Sequence, residues 1–162
     1  MIEWYYSQRH RQRNFIQEAE SWLDTKFRTN AKAKGKFVDC HNLQASIHIA
    51  CGALGSDFPV PRGMSQVAAQ RQIATMYRFL KNRPEFEEVQ DGEYEVGDLL
   101  TGKAGNGEYH MAGYLGEYGE QEDCIITCIS GPGVVIRNLR DPSWSNKLIG
   151  HWRIIEEWAR HE

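Results

Sequence analysis

The chain has 162 residues, of which 41% are hydrophobic and 25% charged, so it can bury a core without disulfides or a structural metal. Nineteen Lys and Arg against 22 Asp and Glu give a formal net charge of −3, which argues against nucleic acid as a partner. The longest uncharged stretch, residues 42–56, is polar and too short to span a membrane. We therefore expect neither a nucleic-acid partner nor a membrane span.

The start of the chain lacks the pattern of a secretory signal, in which a positive cluster precedes an apolar run and a cleavage site. We expect synthesis in the cytoplasm without a signal peptide, where the four cysteines stay reduced. Cys124 and Cys128 have no second Cys or His pair at the distance that zinc sites use. The sequence thus predicts no metal site.

Helical spacing of apolar residues predicts three helices in the first half of the chain. The first ends near Asp24 and is followed by a basic segment, residues 26–36, which we interpret as a solvated loop. The second begins at Cys40 and ends at Gly52 or Gly55. The third covers about residues 65–80. The apolar residues that define the first two helices are Phe15, Ile16, Ala19, Trp22, Leu23, Leu43, Ile47, Cys51 and Leu54.

Short strand-like runs dominate after Pro84, separated by Gly- and Asn-rich turns. The expected strands are Gly97–Thr101, Tyr109–Leu115, Cys124–Ser130 and Val134–Leu139. Helices followed by strands predict an α+β fold in which N-terminal helices pack on a small antiparallel β-sheet. Neither a repeat nor a linker-like segment divides the sequence, which predicts a single domain over residues 1–162.

Cys40 is the best candidate for a nucleophile. The start of a helix presents unpaired N–H groups that favour a thiolate, so we expect the pKa of Cys40 to be lowered. Asp39 precedes Cys40 and is a suitable N-cap. Cys51 lies within the apolar stripe of the helix and is interpreted as an inert core residue.

A cysteine nucleophile also needs a histidine. His110 opens the predicted strand HMAGYLG, where the fold can hold it rigidly against the end of a helix. His41 is adjacent to Cys40 but points about 100° away on a helix, which makes it a poor base. His151, in IGHWRII, is the reserve candidate.

Three segments in the same order resemble the NlpC family of papain-like cysteine peptidases. The run WLDTKFRTNAKAKGKFVDCHNL resembles the nucleophile segment, EVGDLL the strand before the catalytic His, and HMAGYLG the strand that carries it. The residues that match the nucleophile segment are Trp22, Thr25, Phe27, Gly35, Asp39 and Cys40. The chain departs from the family at Asp24 and Lys26, where the family has Gly and Pro.

This resemblance implies a papain-like core and hydrolysis of peptide bonds in bacterial peptidoglycan stems, with Cys40 as nucleophile and His110 as acid and base. It implies neither a metal nor an organic cofactor. It also implies that Phe27, Asp39 and His41 lie near the nucleophile and contact the substrate.

The third catalytic position is held by a neutral residue. The family often has a second His on the following strand, and the residue at the matching place is Thr127, after the acidic insertion GEYGEQED. If the strand alternates regularly, Ile125, Thr127 and Ile129 share one face. We expect the Thr127 hydroxyl, or a carbonyl or water beside it, to accept a hydrogen bond from His110.

Two alternatives stay open. A catalytically weak or inactive relative would keep the papain-like shape as a binding or structural module of a phage tail or injection apparatus, with tail or secretion-apparatus proteins as partners. An acyltransferase would use the same Cys and His on a different amide or ester, and the sequence does not separate it from a peptidase. The run VDCHNL is especially similar to tail-associated members, which favours delivery to the cell wall by a particle or partner.

Overall fold

The α-helices precede the strands of the main sheet in the computed structural model, which describes residues 1–62, 69–103, 109–141, 144 and 148–159. The helices are α1 (Arg9–Glu20), α2 (Cys40–Ala50) and α3 (Ala69–Lys81). The strands are β1 (Lys26–Phe27), β2 (Lys32–Ala33), β3 (Phe37–Val38), β4 (Phe86–Glu88), β5 (Leu99–Lys103), β6 (Tyr109–Tyr118), β7 (Gln121–Ile129), β8 (Gly133–Asn138) and β9 (Leu148–Ile154). This order confirms the predicted α+β fold.

The main sheet has six strands in the order β4-β9-β5-β6-β7-β8, and every pair in it is antiparallel. Hairpins join β6 to β7 and β7 to β8, as the turn-rich sequence predicts. The neighbouring strands β5 to β8 correspond to the four predicted strands, with boundaries shifted by a few residues. A helical layer therefore packs on an antiparallel sheet, as expected.

The two faces of the main sheet carry separate groups of buried side chains. Met111, Ile126 and Cys128 belong to the core that also contains Leu43 and Ile47 of α2. The opposite face carries a second cluster, formed by Leu100, Ala112, Tyr114, Ile125, Leu139 and Trp144. Because side chains alternate along a strand, this division confirms the prediction that Ile125 and Ile126 lie on opposite faces of β7.

Several elements differ from the sequence-based expectation. Helix α1 ends at Glu20, four residues before Asp24, although Trp22 is still buried. The basic segment is not a plain loop, because β1, β2 and β3 form a small sheet in the order β1-β3-β2. Residues 65–68 of the expected third helix lie outside the described part of the chain, and α3 is described from Ala69.

The C-terminal strand β9 was not predicted, although it is an interior strand of the main sheet, between β4 and β5. Its partners are about 45 to 70 residues away in sequence, for example Leu100 opposite His151 and Phe86 opposite Ile154. Apolar periodicity within a segment carries no information on such distant pairing. In the described residues, no helix is long and apolar enough to cross a membrane.

The buried histidine of α2 makes stability depend on pH. His48 is 1% exposed, shares a 2.8 Å hydrogen bond with the Tyr6 hydroxyl through Nδ1, and has its pKa lowered by burial to about 3. Between this value and the unfolded value of about 6.5, the unfolded chain binds the extra proton. Acidification from pH 7 to pH 4 should therefore lower the free energy of unfolding by about 3 kcal/mol through this residue.

Urea unfolding at a series of pH values measures this effect. His48→Gln keeps a neutral hydrogen-bonding side chain and should flatten the acid limb of the stability curve, whatever its stability at pH 7. His10→Gln, at an exposed position of α1, is the matched control and should keep the wild-type slope. The same acid slope in His48→Gln and the wild type would contradict the prediction.

Candidate active site

Cys40 is the first residue of α2, and Asp39 caps the helix in front of it. One carboxylate oxygen of Asp39 accepts from the backbone N–H of Asn42 at 2.8 Å, and the other accepts from the backbone N–H of Asn30 at 2.7 Å. The N-cap role expected of Asp39 is thus confirmed. Both oxygens serve the chain itself, and a contact of Asp39 with substrate stays a prediction.

The thiol of Cys40 lies in a dry environment, since the residue is 6% exposed. Burial, and then the charge of Asp39, raise the pKa of this thiol to about 12, while backbone N–H groups of Met111 and His41 act in the opposite direction. The expected lowering of the pKa is wrong here, because the loss of water outweighs these N–H groups. Its resting form is a neutral thiol.

Strand β6 brings His110 to the start of α2. The backbone N–H of Met111 lies against the Cys40 sulfur, and Met111 directly follows His110. His110 is half-buried and pairs with Gly102 of β5, and its ring centroid is 6.1 Å from that of Trp144. The fold therefore joins the two segments that carry the candidate nucleophile and base. A direct hydrogen bond between Cys40 and His110 stays a prediction.

Thr127 lies on the strand next to His110. It pairs with Ala112, and since Ala112 is two residues after His110, Thr127 is a diagonal neighbour of His110 on the same face. The residue is fully buried, and its hydroxyl donates to the carbonyl of Met111 at 2.8 Å. Its proton therefore holds β7 to β6, and the oxygen still has a lone pair to offer. Acceptance from His110 stays a prediction.

Two further residues flank the nucleophile. Burial lowers the pKa of His41, and the positive charge of His110 lowers it further, whereas Asp39 raises it. This electrostatic influence places His41 near His110 as well as beside Cys40. Phe27 is half-buried on β1 and pairs with Val38, two residues before Cys40. Their contact with substrate stays a prediction.

His151 belongs to a separate buried cluster of charged residues. Its Nε2 donates to Asp98 at 2.5 Å, and Arg153 donates to both oxygens of Asp98 at 2.8 and 2.9 Å. The three residues are between 1% and 7% exposed. The carboxylate thus fixes the orientation of His151, and a catalytic role for this reserve candidate stays a prediction. In the described residues, no group of three or more His, Cys, Asp or Glu could hold a metal ion.

Sequence reasoning missed this charged cluster. Asp98 stands in the GDLL segment, while His151 and Arg153 alternate along β9 more than 50 residues later. A buried triad of this kind has one signal in the sequence, two polar residues at alternate positions of an otherwise apolar run, HWRII. Recognising it requires knowing that β5 and β9 are neighbours.

A comparison with solved structures identifies a similar fold. The chain matches a Staphylococcus aureus subsp. aureus Mu50 crystal structure described as similar to a lipoprotein of the NLP/P60 family, with a TM-score of 0.61 and 18% identity. The match covers 95% of this chain and 44% of that chain, so this chain spans less than half of the other protein's length. No family model and no curated protein match the sequence. The likeness shows a papain-like α+β fold of the NLP/P60 type.

Proposed function

We propose that the protein is a cysteine peptidase or amidase that hydrolyses a peptide bond of bacterial peptidoglycan stems. The observation that carries the proposal is the position of Cys40 at the capped start of α2, with the backbone N–H of Met111, the residue after His110, beside its sulfur. The papain-like fold of the NLP/P60 type supports this assignment. The three matching sequence segments add the same order of nucleophile and base.

The proposed reaction proceeds through a thioester. His110 takes the proton of the Cys40 thiol, and the resulting thiolate attacks the amide carbonyl carbon. Backbone N–H groups at the start of α2 stabilise the oxyanion, aided by the helix dipole. His110 then gives its proton to the departing amine, and afterwards activates a water that hydrolyses the thioester. No metal or organic cofactor enters these steps.

Incubation of the purified protein with muropeptides of several stem types tests the proposal. Product masses should show cleavage at one defined amide bond, with water added across it. Cleavage next to a D-amino acid would assign the expected substrate class. No product across the stem types would contradict the proposal and favour a module without activity. Transfer of the acyl group to an added amine, in place of hydrolysis, would identify an acyltransferase.

The second candidate is a catalytically weak or inactive module of a phage tail or injection apparatus. Two observations favour it: the pKa of the Cys40 thiol is raised to about 12, and the third position holds the neutral, fully buried Thr127. A thiol that ionises only at high pH is a poor nucleophile at neutral pH unless a nearby histidine takes its proton. Retention of Asp39, Cys40 and His110 together favours the enzyme.

Substitution of Thr127 tests the third position. A histidine there can accept from His110 and stabilises its positive form better than a hydroxyl does, so Thr127→His should raise hydrolysis severalfold. Thr127→Val keeps the shape but removes both the acceptor and the bond to the Met111 carbonyl, and should lower the rate. Initial rates on one muropeptide give the comparison, after circular dichroism shows that both variants fold. Equal rates in the two variants would show that another group orients His110.

A further inference from the structure

A cavity of about 420 Å³ lies on the face of the main sheet that is turned away from α2. This volume is within the range of small-molecule sites. Its lining residues come from the segment before β5, from β6 to β8, and from the start of β9: Gly92, Tyr94, Tyr114, Asp123, Leu139, Arg140 and Leu148. None of them takes part in the chemistry proposed for Cys40.

One part of the cavity lining is aromatic, and neighbouring rings hold it in place. Tyr94 contacts two other rings, with its centroid 5.5 Å from that of Tyr114 and 4.8 Å from that of His151. His151 is itself fixed by its hydrogen bond to the buried Asp98. The orientation of Tyr94 is thus set before any ligand arrives, which lowers the entropic cost of binding.

The cavity also has polar lining residues. Asp123 has a φ of 52°, a left-handed conformation that is uncommon for a residue other than glycine. Its carboxylate accepts from the Tyr114 hydroxyl at 2.5 Å and pairs with the Arg140 guanidinium at 2.6 Å. The Arg140 side chain is 72% exposed. The cavity therefore presents fixed acceptors and an accessible donor next to each other.

We propose that this cavity binds a pyranose sugar ring of the cell-wall glycan. The ring would stack its C–H face on Tyr94, and its hydroxyl groups would donate to Asp123 and accept from Arg140. An anionic ligand fits less well, because Asp123 and the exposed Glu122 already pair with Arg140. A neutral ring with many hydroxyl groups uses both partners at once. The choice of a wall sugar rests on the function proposed for Cys40.

The cavity lies on the same face of the main sheet as the candidate base. His110 and Tyr114 share one face of β6 and are four residues apart, which corresponds to roughly 13 Å along the strand. An extended peptide of about four residues covers the same distance. A glycan unit in the cavity and a stem peptide beside His110 are therefore compatible with one substrate.

Binding of chitotetraose, a neutral N-acetylglucosamine oligomer, tests the proposal by nitrogen-edited NMR. The Cys40→Ala chain serves as the host, so that hydrolysis plays no part. Saturable shifts are expected for the backbone N–H groups of Gly92, Tyr94, Asp123 and Arg140. Arg140→Ala should weaken binding at least threefold and Tyr94→Ala at least fivefold. Arg137→Ala, which removes an exposed arginine of β8 outside the cavity, should bind like the host.

Three results would overturn the sugar site: no saturable shift at millimolar chitotetraose, shifts confined to another surface, or binding of a lysine-ended peptide but not of the sugar. If Tyr94→Ala fails to fold, the affinity of Arg140→Ala for chitotetraose decides the outcome, since Arg140 is exposed. Hydrolysis of a glycan-free stem peptide by the wild type is measured separately. Sugar binding without hydrolysis contradicts the proposed function and leaves the site standing, whereas hydrolysis without sugar binding overturns the site alone.

Discussion

Replacement of Cys40 by alanine is expected to reduce muropeptide hydrolysis at least about a thousandfold, because the thioester cannot form without the sulfur. His110→Ala should cause a loss of similar size, since both residues act in the same step. Their combined loss should not be additive, as is typical of residues that work as one unit. The measurement is the initial rate of product formation, followed by mass, with stability checked by thermal unfolding.

Cys51→Ala is the matched control for this substitution. Cys51 lies at the opposite end of α2 and is more exposed than the other three cysteines. Its variant should retain the wild-type rate. Hydrolysis that survives in Cys40→Ala, or that disappears in Cys51→Ala, would contradict the assignment of the nucleophile.

The raised pKa of Cys40 also predicts how the reactivity of its thiol depends on pH. The thiolate fraction of a thiol whose pKa is raised by burial rises tenfold per pH unit through the neutral range. His110→Ala, which lacks an imidazole to take the proton, should show this steep pH dependence in alkylation by limiting iodoacetamide. The wild type should react at least about tenfold faster at pH 7, because an imidazole that accepts the proton stabilises the thiolate. Identical pH profiles would favour the module without activity.

The sequence allowed prediction of those parts of the site that depend on local structure. Helix α2 begins at Cys40 because Asp39 satisfies the N–H of Asn42 as its cap, and this arrangement is visible in the run DCHN. The face of the sheet on which Thr127 lies likewise follows from the alternation of side chains along β7. Both features need information from only a few neighbouring residues.

Features that depend on distant contacts could not be predicted in the same way. The pKa of Cys40 is set by how deeply the sulfur lies beneath β6, about 70 residues later in the chain. The position of a residue at a helix start indicates only the stabilisation of its thiolate by the helix N–H groups, not the opposing effect of burial. The cavity of Tyr94 and Asp123 depends in the same way on the return of β9 to the centre of the sheet.

Asp98→Asn is expected to destabilise the fold by about 3 to 5 kcal/mol, the usual cost of removing one partner from a buried ion pair. The Asp98 side chain is 1% exposed and accepts from Arg153, His151 and the backbone N–H of Glu95. An amide keeps the size of the side chain but leaves the buried guanidinium with only the half-exposed carboxylate of Glu95, 4.0 Å away, as a counter-charge. It also gives up one acceptor oxygen, so one of these donors loses its bond.

Urea unfolding of Asp98→Asn is compared with that of Asp91→Asn. The comparison separates the effect of losing a buried charge from the effect of replacing a carboxylate by an amide. Asp91 is exposed, and its side chain likewise accepts from a nearby backbone N–H, that of Glu93, so its variant should stay within about 0.5 kcal/mol of the wild type. Arg153→Met in the Asp98→Asn background should recover part of the loss, because it removes the buried cation. A small effect of Asp98→Asn, or no recovery in the double variant, would show that the sheet tolerates this charge. The order of stability expected is wild type, then the double variant, then Asp98→Asn, because the largest penalty comes from a buried cation that has lost its buried counter-charge.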